Sequence, residues 1–257
     1  MASIFVTGSA DGLGQMAARL MVDAGHRVVL HARSSERAAD ALAAVPGAEA
    51  AAIGDLSSIS STCDLAEQVN RLGTFDAVIH NAGVGYRERG RGDTVDGLPV
   101  VFAVNTLAPY ILTARIDKPR RLVYLSSGMH RGADADLTDL TWKARRWDGS
   151  SAYAESKLHD VILAFAVARL WPDVFSNALE PGWVATRMGG PGAPDDLEAA
   201  PRTQVWLATS NDPGALVSGQ YFYHLQRRAA HPAAADPAVQ QQLLAACARL
   251  SGVALPA

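Results

Sequence analysis

The stretch Ser3-Ile4-Phe5-Val6-Thr7-Gly8-Ser9-Ala10-Asp11-Gly12-Leu13-Gly14 decides the fold. Ser3 to Thr7 reads as a short buried strand. Gln15 to Ala24 reads as a helix, with Gly25 as its C-cap. The glycines therefore stand between a strand and a helix N-terminus. Glycine lets the backbone turn sharply and approach a pyrophosphate without a Cβ in the way. The helix N-terminus offers free N–H donors and partial positive charge to phosphates. A structural connector would use the same residues, but the flanking strand and helix favour a dinucleotide-binding turn.

Outward from this turn, strand-like and helix-like segments alternate to about residue 222. Strands are read near 3–7, 27–31, 49–53, 75–79, 121–126, 174–179 and 218–222. Runs such as Arg27-Val-Val-Leu-His31 and Phe75-Asp-Ala-Val-Ile-His80 are mostly apolar, as strands covered on both faces should be. The alternation predicts a doubly wound α/β Rossmann fold, a seven-stranded parallel sheet with helices on both faces. The chain has 257 residues, 49% of them hydrophobic, which suffices for one large core. No linker-like segment divides it, so residues 1–257 are read as one domain. A substrate lid is expected at about 183–200 and a tail at about 223–257.

Net charge is −3, which gives no electrostatic case for nucleic acid. The basic stretch Arg87-Glu88-Arg89-Gly90-Arg91 reads as a solvated loop. Cys63 and Cys247 have no metal or redox spacing, and the seven histidines have no metal-ligand pattern. No metal site is expected. The first strand begins within a few residues of Met1, and the most apolar helical run, Val161 to Leu170, is too short to span a bilayer. These readings imply a cytoplasmic protein without membrane attachment.

Far downstream stands Tyr153-Ala-Glu-Ser-Lys157. In a helix, residues four apart share a face. A free phenol, with a pKa of about 10, is a poor acid or base at neutral pH. A neighbouring ammonium stabilises the phenolate and brings the group toward a working range. The chain has three lysines, at 118, 143 and 157, against 20 arginines, so a lysine here is informative. Arg would hold the charge but not the compact geometry.

With its Thr-Gly-x-x-x-Gly-x-Gly spacing, the chain resembles the classical short-chain dehydrogenase/reductase family, and in particular its retinol-dehydrogenase-like branch. The resemblance runs from Ile4 to about Leu250. Asp55-Leu56 follows the third strand, Asn81-Ala82-Gly83 the fourth, Ser126-Ser127 the fifth and Pro181-Gly182 the sixth, with Val184 and Thr186 shortly after. The resemblance implies that Gly8, Ala10, Asp11, Gly12, Leu13 and Gly14 cradle a nicotinamide dinucleotide. It further implies that Asp55 reaches the adenine amine and that Lys157 binds the nicotinamide ribose. Asn105 matches the asparagine that holds a proton-relay water, with a buried amide at a helix bend as a compatible role. Ser127 is implied to orient the substrate carbonyl, with Ser126 as the alternative register. His130, close by, reads as a pocket-lining or solvated loop residue.

The second strand is followed by Ala32, where an NAD enzyme usually has an acid, then by Arg33 and Ser34. Arg33 can pair bidentately with a 2′-phosphate and Ser34 can add a hydroxyl contact. NADP(H) is the expected cofactor. Met129, Trp142, Trp147, Trp183 and Met188 are expected around an apolar or ring-bearing carbonyl or alcohol substrate. The helix after Asn105 is cut off at Ile116 to Pro119, which suggests a monomer or a homodimer rather than the family's usual tetramer. The expected reaction is hydride transfer between nicotinamide and a carbonyl or alcohol carbon, with Tyr153 as general acid/base. Carbon–carbon double-bond reduction on the same fold is the alternative; a catalytically inactive NADP-binding module is a third reading.

Overall fold

The structure, a computed structural model, describes residues 1–87 and 90–256. Glu88 and Arg89 of the basic loop lie outside the described residues. The apolar runs form one sheet in the order β3-β2-β1-β4-β5-β6-β7-β8. Its strands are β1 (Ser3–Val6), β2 (Arg27–Ala32), β3 (Ala50–Ile53), β4 (Ala77–His80), β5 (Arg121–Leu125), β6 (Phe175–Glu180), β7 (Tyr221–Tyr223) and β8 (Gln226–Arg228). The first seven run parallel. The chain winds one way from β1 to β3 and the other way from β4 onward. That reversal opens a crevice at the carboxyl ends of β1 and β4.

The eighth strand departs from the seven-stranded expectation. β8 pairs antiparallel with β7 across His224 and Leu225, whose φ values are 46° and 64°. Both turn residues are left-handed, as a tight hairpin requires. Gln226-Arg227-Arg228 is exposed and has no apolar alternation, so it carries no strand signal.

Two apolar layers cover the sheet. Met21, Leu30, Ile79 and Phe222 belong to one. It is closed by α1 (Gly12–Asp23), α2 (Ser35–Ala44) and α7 (Arg202–Thr209). The other contains Phe5, Leu65, Tyr124, Val161 and Trp171. It is closed by α3 (Ile59–Arg71), by α6 (Gly149–Leu170) and by the segment α4 (Val100–Phe102) to α5 (Ala108–Arg115). A π-helical turn at Ala103–Leu107 joins α4 to α5 and contains Asn105. α5 ends at Arg115, where Ile116 turns extended ahead of Pro119.

α6 is buried nearly all round, because α8 (Pro237–Ser251) lies against the side turned away from the sheet. The tail is tied down by polar bonds. Tyr110 donates to the Val253 carbonyl at 2.8 Å, the Trp171 indole to Pro256 at 3.1 Å, and Arg169 to Gln240 at 2.8 Å. Among the described residues no helix is long and apolar enough to cross a membrane.

His80 and His159 are wholly enclosed in the α5–α6 layer, beside Thr113 and Thr106 respectively. Burial pushes both imidazoles down to about 3. The unfolded chain therefore binds more protons than the native one between about pH 6.5 and 3, so stability falls as pH falls through that window. His159→Gln, neutral at every pH, is expected to flatten the loss between pH 7 and 5 by about 2 kcal/mol. Urea unfolding at the two pH values checks this.

Candidate active site

The glycine turn is built by what it touches. Gly8 has φ +62°, and a Cβ there would come within 2.7 Å of the Ala82 Cα. The turns after β1 and β4 are thus in direct backbone contact. Thr7 Oγ1 accepts from the Asn81 and Ala82 amides at 3.0 Å each. The Asn81 side chain donates to the Thr7 and Gly8 carbonyls at 3.0 and 3.1 Å. Asn81 therefore braces the turn through its side chain.

His31, a residue the sequence reading passed over, fastens the same turn from β2. Its Nδ1 accepts from the Gly8 amide at 2.9 Å, so its Nε2–H donates to the Gly54 carbonyl at 2.9 Å. Its own amide donates to Ser9 Oγ at 2.8 Å. Burial lowers its proton affinity and keeps the ring neutral, as this bonding requires. The available signal was a histidine within the otherwise apolar end of β2.

A pyrophosphate-bearing cofactor fits the resulting cradle. Gly12 has φ +56° with nothing within 4 Å of where a Cβ would stand, at the first turn of α1. The first turn of a helix leaves its backbone amides without intrahelical partners, which suits a phosphate. Ala10, Asp11, Gly12 and Leu13 are partly or fully exposed along this edge, while Gly14 is buried against the β1 turn.

Tyr153 and Lys157 lie on the inner face of α6, both almost fully buried. The Tyr153 phenol is raised by burial, against lowering by the Lys157 charge and a hydrogen bond with Ser127. Ser127 stands just beyond β5 and its hydroxyl also accepts from the Met129 amide at 3.3 Å. Ser126 has a different task, since its hydroxyl donates to the Lys157 carbonyl at 2.6 Å. The Lys157 ammonium donates to the Leu125 carbonyl at 2.7 Å and to Asp160 at 2.8 Å. It also lies 5.9 Å from the centre of the Tyr153 ring.

Asn105 sits behind this pair. Its side chain pairs with both backbone groups of Val84, at 2.8 and 3.1 Å, and donates to Ser156 Oγ at 3.0 Å. A Cβ on Gly83 would stand 3.5 Å from both Asn105 Oδ1 and Lys157 Nζ. The loop after β4 and the floor of the site are thus one unit.

At the β2 end, Arg33 is exposed and without a hydrogen bond or ion pair among the described residues. Ser34 caps α2, accepting from the Arg37 amide at 3.3 Å. Arg37 crosses to the glycine turn, donating to Asp11 Oδ2 at 2.9 Å, and Arg187 of the loop after β6 approaches the same carboxylate at 3.7 Å. Asp55 is exposed and accepts from the Ser57 amide and hydroxyl, at 2.9 and 2.8 Å; Leu56 is buried.

A cleft of about 630 Å³ opens beside Tyr153. Its lining includes Leu13, Tyr86, Ser127, Met129, Trp183 and Met188. Pro181, Gly182, Val184 and Thr186 form one edge. Asp195 pins that edge, accepting from the Trp183 amide at 2.6 Å, while the Trp183 indole donates to Gly189 at 3.0 Å. Tyr86, not singled out from sequence, stands edge-on to Tyr153 at 5.7 Å.

Two expectations change here. Neither Trp142 nor Trp147 reaches the cleft; their rings pack at 5.3 Å on one another in a separate cluster with Val101 and Ala152. The loop before α6 turns inward there, with the Arg145 guanidinium 3.7 Å above the Trp142 ring. His130 is neither pocket-lining nor solvated. It is fully buried, donates through Nδ1 to the Ser127 carbonyl at 2.7 Å, and accepts from the His231 amide at 3.2 Å. It ties the Ser127 turn to the C-terminal tail.

Comparison with known proteins bears on the family and the fold. The short chain dehydrogenase family profile matches residues 2–119. An oxidoreductase of Emericella nidulans is 47% identical over 100% of this chain and 99% of its own length. Human retinol dehydrogenase 13 is 30% identical over 99% of this chain and 86% of its own. The crystal structure of a Mycobacterium paratuberculosis protein shares the fold, with a TM-score of 0.86 at 24% identity, covering 100% of this chain and 96% of that one.

Proposed function

This chain belongs to the short-chain dehydrogenase/reductase family, an NAD(P)-dependent oxidoreductase of its retinol-dehydrogenase-like branch, and on that premise we propose that it reduces a ketone or aldehyde with NADPH. The meeting of Tyr153 and Ser127 on one wall of the cleft, with the Lys157 ammonium buried 5.9 Å from the Tyr153 ring, carries the reading. When bound, the nicotinamide supplies the hydride. Ser127 Oγ and the Tyr153 hydroxyl hold the carbonyl oxygen, where negative charge develops, and Tyr153 Oη gives it a proton. Burial keeps the phenol protonated before reaction, which suits a donor. The Lys157 ammonium then stabilises the phenolate left behind and donates to the ribose hydroxyls. Asn105 holds the floor, and its π-helical turn is where a relay water is placed.

Arg33 is the 2′-phosphate ligand of this proposal, with Ser34 alongside, because its guanidinium is exposed at the end of β2 and free of hydrogen bonds and ion pairs among the described residues. Gly8 to Gly14 cradle the pyrophosphate. Asp55 and Leu56 border the adenine, Asn81 to Gly83 back the ribose, and Pro181 to Thr186 cover the nicotinamide. Residues about 183–200 act as the lid of a single domain that carries a tail at about 223–257. Met129, Trp183, Met188 and Tyr86 suit an apolar or ring-bearing substrate. α8 and the tail cover the outer faces of α5 and α6 within the same chain. That leaves a monomer as the expected assembly.

Tyr153→Phe is expected to bind NADPH normally in calorimetric titration and to lose at least about 100-fold in turnover; full turnover would reject the mechanism. Arg33→Asp is expected to weaken NADPH binding about tenfold or more and to favour NADH; an unmoved preference would remove Arg33 from the phosphate site. Light scattering is expected to give the mass of one chain, and a tetramer would refute the covered-face argument.

A further inference from the structure

Asp160 is a buried acid that the reading above leaves without a task. It lies one turn beyond Lys157 on α6, and their side chains are only 2% and 5% exposed. Its carboxylate accepts from the Lys157 ammonium at 2.8 Å. A carboxylate placed here for packing alone would cost several kcal/mol in desolvation. An apolar residue or an amide would fill the same volume.

The geometry gives it work. The ammonium has three N–H donors. One is held by the Leu125 carbonyl and one by Asp160. The third is left for the cleft floor, where Gly83 lies nearby. Two fixed bonds thus aim the lysine. The charge matters as much as the aim. An ammonium offset by a carboxylate three residues away draws less strongly on a neighbouring phenol.

We propose that Asp160 is a positioning residue for the reaction: its buried ion pair aims the Lys157 ammonium and offsets its charge, so that the Tyr153 phenol stays in its proton-donating form. This rests on the assignment of Tyr153 and Lys157 as the proton-handling pair. The other titratable groups around Asp160 do not replace it. Tyr124 faces it from β5, with its hydroxyl 2.7 Å from Thr113, and beyond Thr113 lies His80 of β4, at 3.0 Å. All three stay neutral there, since burial raises the Tyr124 phenol and lowers the His80 imidazole. Lys157 rises through Asp160 despite burial, and Tyr153 is pushed up further by Asp160 after burial itself. Burial also pushes Asp160 up, to about 7, so the offset is complete only above neutral pH.

The test removes the charge and keeps the shape. In Asp160→Asn, without cofactor, ultraviolet phenolate absorbance is titrated against pH, and the same titration of Asp160→Asn/Tyr153→Phe isolates the Tyr153 signal. The Tyr153 midpoint is expected about one pH unit, or tenfold in proton affinity, below that of the wild type. The acid limb of the pH–rate profile for alcohol oxidation should move down with it. A midpoint that stays put or rises overturns the proposal, because a merely structural acid would change stability and leave the phenol alone. Asp160→Ser, smaller and also uncharged, is expected to give the same shift and serves if the Asn variant does not fold. The spectroscopic arm asks nothing of turnover. Full turnover in Tyr153→Phe would defeat the functional reading while leaving the titration result standing.

Discussion

Everything at the site depends on two turns touching. Gly8 lies so close to Ala82 that no Cβ fits between them. That contact joins the β1 turn to the β4 turn at the point where the winding reverses. Thr7 and Asn81 then satisfy one another's backbone groups, and His31 anchors the assembly to β2 and β3. Buried backbone groups left unpaired would each cost about 1–3 kcal/mol. The polar staples are therefore the condition for bringing the turns together, and the open space before α1 is the consequence.

The second constraint is electrostatic. α6 is enclosed by the sheet on one side and α8 on the other, so its polar residues sit where water cannot compensate them. Ser156, Lys157 and Asp160 are each matched by a specific partner, and Ser126 after β5 bonds to the Lys157 carbonyl. Glu155 is likewise held by Arg145, at 2.5 Å. A low-dielectric setting strengthens each of these interactions and penalises every unpaired group. A phenol held there responds to a single nearby charge far more than one on the surface. The C-terminal helix, distant in sequence, thus belongs to the chemistry through the burial it imposes.

Much of this was legible in the chain. The glycine turn, the apolar strands and the Tyr153-to-Lys157 spacing are local signals, and local signals survive without tertiary knowledge. The truncated helix after Asn105 was readable because Pro119 cannot continue one. β8 was not readable, because Gln-Arg-Arg at an exposed edge follows no hydrophobic period. Trp147 misled because an aromatic before α6 can turn toward the cleft or toward Trp142, and residue type does not distinguish them. His130 misled for a similar reason: a polar loop residue looks solvated until its partners, Ser127 and His231, are brought together.

The sequence by itself determined the order of elements, the family, and which side chains stand one helical turn apart. The order and the spacing follow from periods of two and 3.6 residues and from the conformational rules of Gly and Pro, and the family from the resemblance of the ordered motifs. Tertiary structure decided the remainder. It directed Ser126 to a backbone carbonyl and Ser127 to the cleft, although they are adjacent and identical. Among the described residues it left Arg33 free while committing Arg37 to Asp11. It set Asp160 against Lys157 in a space bordered by Tyr124 of β5 and, beyond it, Thr113 of α5 and His80 of β4. Each of these outcomes depends on which long-range neighbour supplies the partner and excludes the water, and a linear pattern carries neither.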